Sequence, residues 1–179
     1  MTGTWMGERS AKVVEIVAES AAAESPGDAQ RLIAEYWQPL YRFCRAMIGQ
    51  PSDAEDIVQE TCLKLLQHVR SGGDRSNLRA WLFAVAANGC RDRARWRVRW
   101  RPWRAELDRR ETAPVEESRD LAPHRAALRA LAPRDRLLIS LRAHGLSYRE
   151  IASAAGIAEA SVGRLLARAV ERWKKAAAR

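Results

Sequence analysis

The segment SYREIASAAGIAEASVGRLLARAVERW (Ser147–Trp173) contains the clearest structural pattern in the chain. Ser147, followed three residues later by Glu150, is the pattern of a capping box and predicts the start of a helix. Gly156 then predicts a sharp turn before a longer helix that begins near Ala158. A short helix, a glycine turn and a second helix predict a helix-turn-helix, a motif that places its second helix in the major groove of duplex DNA.

The second helix of this motif has one apolar face and one basic face. The residues predicted to point inward are Val162, Leu165, Ala169 and Trp173. Arg164, Arg168 and Arg172 follow one another at intervals of four and predict a basic stripe suited to phosphates. The alternative is a helical hairpin with a merely solvated basic face, which the turn and the caps together disfavour. Gly163 inside the helix costs about 1 kcal/mol relative to alanine, which points to a group close to its backbone.

A second basic segment lies earlier, in LRAWLFAVAANGCRDRARWRVRWRPWR (Leu78–Arg104). Residues 79–104 carry eight arginines against one aspartate, and residues 134–179 carry ten Lys and Arg against four Asp and Glu, so the net charge of +9 is concentrated in two places. A positive field attracts phosphates and indole rings can stack on unpaired bases. The combination favours contact with opened or single strands.

Two alternatives apply to this basic segment. Its arginines could form a solvated face, with Trp96, Trp100 and Trp103 as an ordinary buried helical stripe. From Arg93 to Arg101 the residues also alternate with a period of two, which a strand would produce as well. A helix is favoured because the segment continues from an apolar helical pattern, whose stripe is Leu78, Trp81, Leu82 and Val85, and because Pro102 would end it.

The segment PSDAEDIVQETCLKLLQHV (Pro51–Val69) predicts a further helix. Ser52 as N-cap with Glu55 three residues on suggests a second capping box. The residues predicted to face the core are Ile57, Val58, Thr61, Cys62, Leu65, Leu66 and Val69, and those predicted to face outward are Asp53, Asp56, Gln59, Glu60 and Lys64. Either this acidic outer face is solvated and favoured by the helix dipole, or it docks a protein partner.

The remaining patterns predict helices and loops only. An earlier helix is capped by Asp28, interrupted or kinked by Pro39 and ended by Gly49. The turn-forming residues of Ser71–Asn77 predict a loop. Another short helix is possible over residues 11–24. Two helices separated at Pro133 are predicted over residues 124–143, and Leu137, Leu138 and Leu141 form their buried face.

The predicted fold class is all-α, with two small helical domains joined by a flexible linker, the C-terminal one a helix-turn-helix. Residues 1–27 are an N-terminal extension, 28–104 the first domain, 105–123 the linker and 124–179 the second domain. The linker is placed where apolar residues no longer recur at a helical spacing and Glu, Arg, Asp, Thr and Pro predominate.

Several functional classes receive no support. The three cysteines, Cys44, Cys62 and Cys90, lie in apolar helical patterns without metal-ligand spacing, and the three histidines are scattered, so no metal and no cofactor is predicted. No glycine-rich phosphate loop or nucleophile with a base indicates an enzyme. No signal peptide or membrane-spanning run is predicted, and a cytoplasmic location without membrane insertion is expected.

With these residues in view, the chain resembles bacterial RNA polymerase sigma factors of the extracytoplasmic-function (ECF) type from about Asp28 onward. DAEDIVQET (Asp53–Thr61) is similar to the region-two helix that docks on the clamp helices of the polymerase beta-prime subunit. RAWLFAVAANGCRD (Arg79–Asp92) is similar to the segment that opens and reads the minus-ten promoter element. LAPRDRLLISLRAHGLSYREIASAAGIAEASVGRLLARA (Leu131–Ala169) is similar to the region-four helices that read the minus-thirty-five element as duplex.

The resemblance implies three sets of site residues. The polymerase-docking set is Asp53, Asp56, Gln59 and Glu60. The minus-ten set is Gly73, Asp74, Asn77, Trp81, Asn88, Asp92, Arg93, Arg95, Trp96 and Arg97. The minus-thirty-five set is Tyr148, Arg149, Glu159, Ala160, Ser161, Arg164 and Arg168. Within the second set, Asn88 matches an Asn that holds a flipped promoter base, and the Gly72–Asn77 loop matches the loop that selects this base.

The resemblance also implies that the chain has no catalytic activity of its own and that it has three partners. The partners are core RNA polymerase, promoter DNA and an anti-sigma factor. The polymerase contacts are its beta-prime clamp helices and its beta flap. The chain departs from the family pattern at Gly163, Arg164 and Leu165, which bears on the minus-thirty-five contacts. The competing hypothesis is a helix-turn-helix repressor or activator that acts without being a polymerase subunit, with residues 1–101 as a sensing or dimerising domain.

Overall fold

The computed structural model describes residues 26–99 and 122–178, and all regular structure among them is α-helical. The helices in these ranges are α1 (Pro26–Ile48), α2 (Pro51–Arg70), α3 (Leu78–Arg99), α4 (Ala122–Ala130), α5 (Pro133–Ala143), α6 (Tyr148–Ala155) and α7 (Glu159–Ala177). We call α1–α3 the N-terminal unit and α4–α7 the C-terminal unit. The all-α prediction is confirmed, whereas the predictions for residues 1–25, for the linker up to residue 121 and for Trp100 and Trp103 lie outside the described residues.

Two predicted helix starts are wrong. Helix α1 begins at Pro26 rather than after Asp28, and it continues through Pro39 to Ile48 as one helix. Helix α2 begins at Pro51, with Gln50 as its N-cap and no side-chain capping bond, so Ser52 lies within the first turn. Proline is favoured at the first helical position because it has no N–H to satisfy there and its φ is already helical.

The N-terminal unit packs three helices around aromatic and aliphatic side chains. Phe43 of α1 and Phe83 of α3 meet edge to face, with ring centroids 5.3 Å apart. Cys44, Cys62 and Cys90 are all buried as free thiols in this core, as predicted. Burial raises the pKa of the Cys62 thiol to about 12, and the hydrogen bond with Cys90 followed by burial raises that of Cys44. The thiols therefore behave as small apolar groups.

The C-terminal unit is a helix-turn-helix supported by two preceding helices. Leu138 and Leu141 of α5, Ile151 of α6 and Val162 of α7 are fully buried. The predicted apolar face of α7 is nearly right: Leu166 is buried at 7% exposure, whereas Leu165 is only partly buried. Helix α7 packs against both α5 and α6, so its buried face is wider than the single row of apolar residues that the sequence predicts.

The two units pack directly against each other, and one apolar cluster runs through both. The His144 ring at the end of α5 lies 4.9 Å from the Phe83 ring and 5.8 Å from the Phe43 ring. Arg136 of α5 donates to the Met47 carbonyl of α1 at 2.9 Å. Among the described helices, none combines the length and the apolar character that a membrane span needs.

Candidate nucleic-acid and partner interfaces

Asp53 anchors the end of α3 to the start of α2. It is only 3% exposed, which contradicts the prediction that it faces outward. Arg93 Nη1 donates to its Oδ1 at 2.7 Å, and Arg97 Nε lies 2.8 Å from its Oδ2 in an ion pair without hydrogen-bond geometry. A buried carboxylate needs such partners, because an unpaired charge is costly away from water. Asp53 therefore serves the fold, and it takes Arg93 and Arg97 partly out of solvent.

The outer face of α2 retains the other predicted docking residues. Asp56 and Glu60 are exposed, Gln59 is half-buried, and the Asp56 side chain is 54% exposed even though it lies 3.5 Å from Arg93. Leu63, one turn further along, is 48% exposed. It was not among the predicted site residues, although it falls outside the inward stripe of α2 and could have been found from that spacing. This face combines acidic groups with an exposed apolar side chain.

The Gly72–Asn77 loop is shaped by its own side chains and by His68. Asp74 accepts from the Ser76 backbone N–H and the Ser76 hydroxyl, both at 2.8 Å, and the backbone bond is the main reason that the pKa of Asp74 is lowered. The His68 ring stacks on Trp81 with centroids 4.4 Å apart. A Cβ at Gly73 would lie 2.3 Å from that ring, so a larger residue there would require the His68 ring to move.

Asn88 is exposed on α3 and participates in an interaction that crosses between the two units. Its Oδ1 accepts from Arg91, and the same guanidinium donates to the Ala154 carbonyl of α6 at 3.0 Å. Asn77 of the loop also reaches α6, where it hydrogen-bonds the Glu150 carboxylate. Two predicted base-reading residues are thus next to the first helix of the helix-turn-helix.

A cavity of about 320 Å³ lies between α2 and α3 beside Asn88. The residues that line it are Ile57, Glu60, Lys64, Asn88, Gly89, Asp92, Arg93 and Trp96. Asn88, Asp92, Arg93 and Trp96 of the predicted minus-ten set are therefore together. Gly73, Asp74 and Asn77 do not line this cavity, so the structure does not bring the loop and Asn88 together around it.

The last turns of the described part of α3 form a basic surface. Arg95 and Arg99 are exposed, and Trp96 and Val98 are 42% and 75% exposed. Residues 93–99 are helical, so the strand alternative is excluded for them. The exposure of Trp96 also argues against a fully buried tryptophan stripe at this position.

The helix-turn-helix has the predicted caps. Glu150 N–H donates to Ser147 Oγ at 3.3 Å and Ser147 N–H donates to Glu150 Oε2 at 2.6 Å, which completes the capping box. The bond from the Ser147 backbone is the largest cause of the lowered pKa of Glu150. Gly156 has φ 67° and ψ 42°, the left-handed conformation that a sharp turn between α6 and α7 requires.

The helix-turn-helix presents most of the predicted minus-thirty-five residues to solvent, two of them on α6 and the others on α7. The exposed members of the set are Tyr148, Arg149, Glu159, Ala160, Arg164 and Arg168, and Ser161 is half-buried. Arg172 is exposed like Arg164 and Arg168, but its charge is partly compensated because its Nη1 pairs with Asp135 Oδ2 at 2.6 Å. A Cβ at Gly163 would meet the Tyr148 ring at 3.4 Å, an ordinary contact, so no tight approach within the described residues requires glycine.

Two segments of the chain match known protein families. Residues 32–101 match the Sigma-70 region 2 family, and residues 125–172 match the Sigma-70 region 4 family. SigL of Mycobacterium tuberculosis, an ECF RNA polymerase sigma factor, is 34% identical over 150 residues, covering 79% of this chain and 84% of SigL. The chain belongs to the ECF sigma factors. Residues 32–101 are consequently a sigma region rather than the sensing domain of a repressor.

Other ECF sigma factors are similar over much of the chain. SigF of Caulobacter vibrioides is 33% identical over 141 residues, covering 72% of this chain and 73% of SigF. SigG of Mycobacterium tuberculosis is 30% identical over 192 residues, covering 87% of this chain. This ECF sigma factor spans only about half, 51%, of the length of SigG.

Solved structures share the fold of this ECF sigma factor. The sigma factor RpoE in complex with the anti-sigma factor NepR, from Bartonella quintana, matches with a TM-score of 0.66 and 26% identity, covering 83% of this chain and 96% of RpoE. CnrH in complex with the cytosolic domain of CnrY matches with a TM-score of 0.62 and 27% identity, covering 91% and 96%.

Proposed function

We propose that this chain is an alternative sigma factor that binds core RNA polymerase and directs it to promoters with a minus-ten and a minus-thirty-five element. The observation that carries the proposal is the presence of three chemically different surfaces on three helices: an acidic face with an exposed leucine on α2, the neighbouring basic end of α3, and a basic face of α7. Such a division suits one protein partner and two DNA segments. The chain then supplies promoter recognition and strand opening, while the polymerase supplies the chemistry.

The polymerase surface is assigned to Asp56, Gln59, Glu60 and Leu63. An exposed leucine among polar residues offers apolar area at the centre of a contact, and the surrounding polar groups give the rim that a protein interface needs. Asp53 is left out of this surface because it is buried against Arg93 and Arg97. The beta-prime clamp helices are the proposed partner.

The minus-ten surface is assigned to Asn88, Asp92, Arg95 and Trp96. Asn88 carries the paired donor and acceptor that reads a base edge, and Trp96 offers a ring on which an unpaired base can stack. Arg95 and Arg99 are exposed and can hold the phosphates of an opened strand. The cavity beside Asn88 has room for one extruded base.

The minus-thirty-five surface is assigned to the start of α7, with Arg164 and Arg168 on phosphates or base edges. Both side chains are exposed, and neither has an ion pair among the described residues, whereas Arg172 pairs with Asp135. Because RpoE and CnrH occur in complexes with NepR and CnrY, we further propose that an anti-sigma protein regulates this chain. The beta flap is the expected polymerase contact of the C-terminal unit.

The deciding experiment replaces the docking face and measures polymerase binding. Gln59→Ala/Glu60→Ala is expected to lower retention on core polymerase about tenfold or more, since a central interface pair is worth about 1–3 kcal/mol. Glu35→Ala/Gln67→Ala, which removes one exposed glutamate and one exposed glutamine elsewhere in the N-terminal unit, serves as the matched control. Pull-down and run-off transcription from a promoter library are the measurements.

The same library tests the DNA assignment separately. Asn88→Ala is expected to flatten the base preference at one minus-ten position, by about 1–3 kcal/mol, and to leave the other positions unchanged. Arg164→Ala/Arg168→Ala is expected to weaken promoter use broadly and to reduce its salt dependence. A folded docking variant that binds polymerase as the control does would overturn the proposal for α2.

A further inference from the structure

A cavity of about 330 Å³ lies between α1 and α4, where the two units meet. Four arginines line it, namely Arg42 and Arg45 from α1 and Arg125 and Arg129 from α4. Its other lining residues are Gln38, Tyr41, Ala46 and Leu128, so none of the lining side chains is acidic. None of the residues assigned to polymerase or promoter contact belongs to this set.

Two of the four lining arginines, Arg42 and Arg129, lack an acidic partner among the side chains that the structure describes. Among the side chains that the structure describes, in residues 30–99 and 123–178, the guanidinium groups of Arg42 and Arg129 make no ion pair or hydrogen bond. Arg45 donates to the Gly49 carbonyl, which carries no full charge. Guanidinium groups that converge without acids repel one another, and an anion between them would offset that repulsion.

Arg136 adds a further cation behind the cavity. Its guanidinium donates to the carbonyls of Met47, Leu128 and Leu131, at 2.9, 3.2 and 3.0 Å, and so joins the two units through neutral acceptors. Burial, together with the neighbouring charge of Arg129, lowers the pKa of Arg136.

The remaining lining of the cavity is apolar or neutral. Ala46 and Leu128 provide aliphatic surface, and Tyr41 is half-buried with a pKa raised mainly by burial. The Tyr41 hydroxyl consequently stays protonated at neutral pH and can donate a hydrogen bond. A cavity that combines cationic donors with aromatic and aliphatic surface matches a ligand with an anionic group and a less polar body.

We propose that this cavity binds a small phosphorylated molecule, of about the size of a mononucleotide, with its phosphate held by Arg42 and Arg129. The planar guanidinium group forms bidentate hydrogen bonds with phosphate oxygens, which makes arginine the residue suited to this role. A cavity of this volume lies in the usual range for small-molecule sites. The phosphate backbone of DNA fits less well, because it binds along open basic surfaces such as those of α3 and α7.

Binding at this cavity would stabilise the packing of the two units. Arg42 belongs to the N-terminal unit and Arg129 to the C-terminal unit, so a phosphate bound by both bridges the units. Such a ligand binds the packed state more tightly than the separated state, and this difference in affinity shifts the equilibrium toward the packed state. A small molecule would in this way control the equilibrium between the packed and the separated units.

The test is isothermal titration calorimetry of the full chain with inorganic pyrophosphate and, separately, with AMP. Saturable binding of at least one of them is expected, and Arg42→Gln/Arg129→Gln is expected to weaken it about tenfold or more, because two charge-assisted bonds are lost. The matched control is Arg31→Gln/Arg134→Gln, which removes one exposed arginine from each unit outside the cavity and should change the affinity less than about twofold. Circular dichroism melting verifies that both variants fold.

A second measurement reports on the packing itself. Small-angle X-ray scattering should give a smaller radius of gyration for the wild-type chain with the bound ligand than without it, and the cavity variant should not respond. Absence of binding at millimolar concentrations, or equal weakening in the control variant, overturns the proposal. If the cavity variant loses promoter DNA binding in the absence of polymerase but no small-molecule binding, the arginines serve DNA instead and the proposal is also overturned.

Discussion

At the scale of single residues, similar chemical groups on α2 have different roles because of small differences in position. Asp53 and Asp56 are three residues apart, yet the first is 3% exposed and the second has a side chain 54% exposed. Arg93 and Arg97, one turn apart on α3, both reach Asp53. Burial decides that Asp53 stabilises the α2–α3 packing, whereas Asp56 remains accessible to a partner.

Replacing Asp53 should therefore destabilise the protein. Asp53→Ala leaves Arg97 without its carboxylate and Arg93 with only the exposed Asp56, and we expect a loss of about 2 to 3 kcal/mol, at the lower end for a broken buried ion pair. Asp56→Ala, as the control on the same helix, should cost less than about 0.5 kcal/mol. Urea unfolding of both variants measures the difference, and equal stabilities would show that the ion pairs of Asp53 contribute nothing.

At the scale of one element, α6 depends on its N-terminal cap. The helix has only eight residues, so the two reciprocal bonds between Ser147 and Glu150 satisfy a large share of its free backbone donors. The Glu150 carboxylate also lies near Arg79 and bonds Asn77, which couples the cap of α6 to the N-terminal unit. The start of the helix-turn-helix is consequently stabilised from both sides.

Removal of the capping hydroxyl should have a measurable cost. Ser147→Ala is expected to lower the free energy of unfolding by about 1 kcal/mol. Ser153→Ala, at an exposed position inside the same helix, is the control and should have little effect. Chemical denaturation followed by circular dichroism gives both values, and equal losses would contradict a specific role of the cap.

The same cap predicts a pH dependence. Because the pKa of Glu150 is lowered in the folded chain, its ionised form stabilises the fold above its ordinary value of 4.5, and this contribution is lost as the pH falls through the lowered value. The melting temperature of the wild-type chain should therefore fall more steeply below pH 4.5 than that of Glu150→Gln. Identical slopes in thermal melts at a series of acidic pH values would contradict this linkage.

At the scale of the whole molecule, the packing of the two units brings the proposed minus-ten residues against α6. Arg91 links Asn88 to the Ala154 carbonyl, Asn77 bonds Glu150, and Arg79 donates to the His144 carbonyl. A promoter base that is to reach Asn88 through this side has to displace the C-terminal unit. Approach to Asn88 from the α6 side should thus require the units to separate, whereas the cavity between α2 and α3 involves no residue of the C-terminal unit.

Weakening the contact between the units should favour this separation. Arg79→Ala/Arg91→Ala removes two hydrogen bonds from charged groups to carbonyls of the C-terminal unit, each worth about 1.5–3 kcal/mol. The radius of gyration from small-angle X-ray scattering should increase. Arg95→Ala/Arg99→Ala removes two arginines from the same helix and should leave it unchanged. A folded double variant with the wild-type radius would show that apolar packing alone holds the units together.

Local patterns were sufficient to predict the all-α fold, the capping box of Ser147 and Glu150, and the turn at Gly156. These features depend on residues within a few positions of one another, where backbone geometry and hydrogen bonding act directly. The acidic and basic surfaces also follow from composition, since charged side chains normally remain at the surface. The motifs of both sigma regions could also be recognised in the sequence, because each lies within one short segment.

Tertiary structure alone decided which charges remain available. The sequence placed Asp53 outside and Arg172 in the basic stripe, but Asp53 is buried against Arg93 and Arg97, and Arg172 is paired with Asp135. Those partners are 37 to 44 positions apart, and a helical period says nothing about contacts over such distances. The packing of the units and the arginine-lined cavity likewise bring together side chains from distant helices, so only the folded chain determines them.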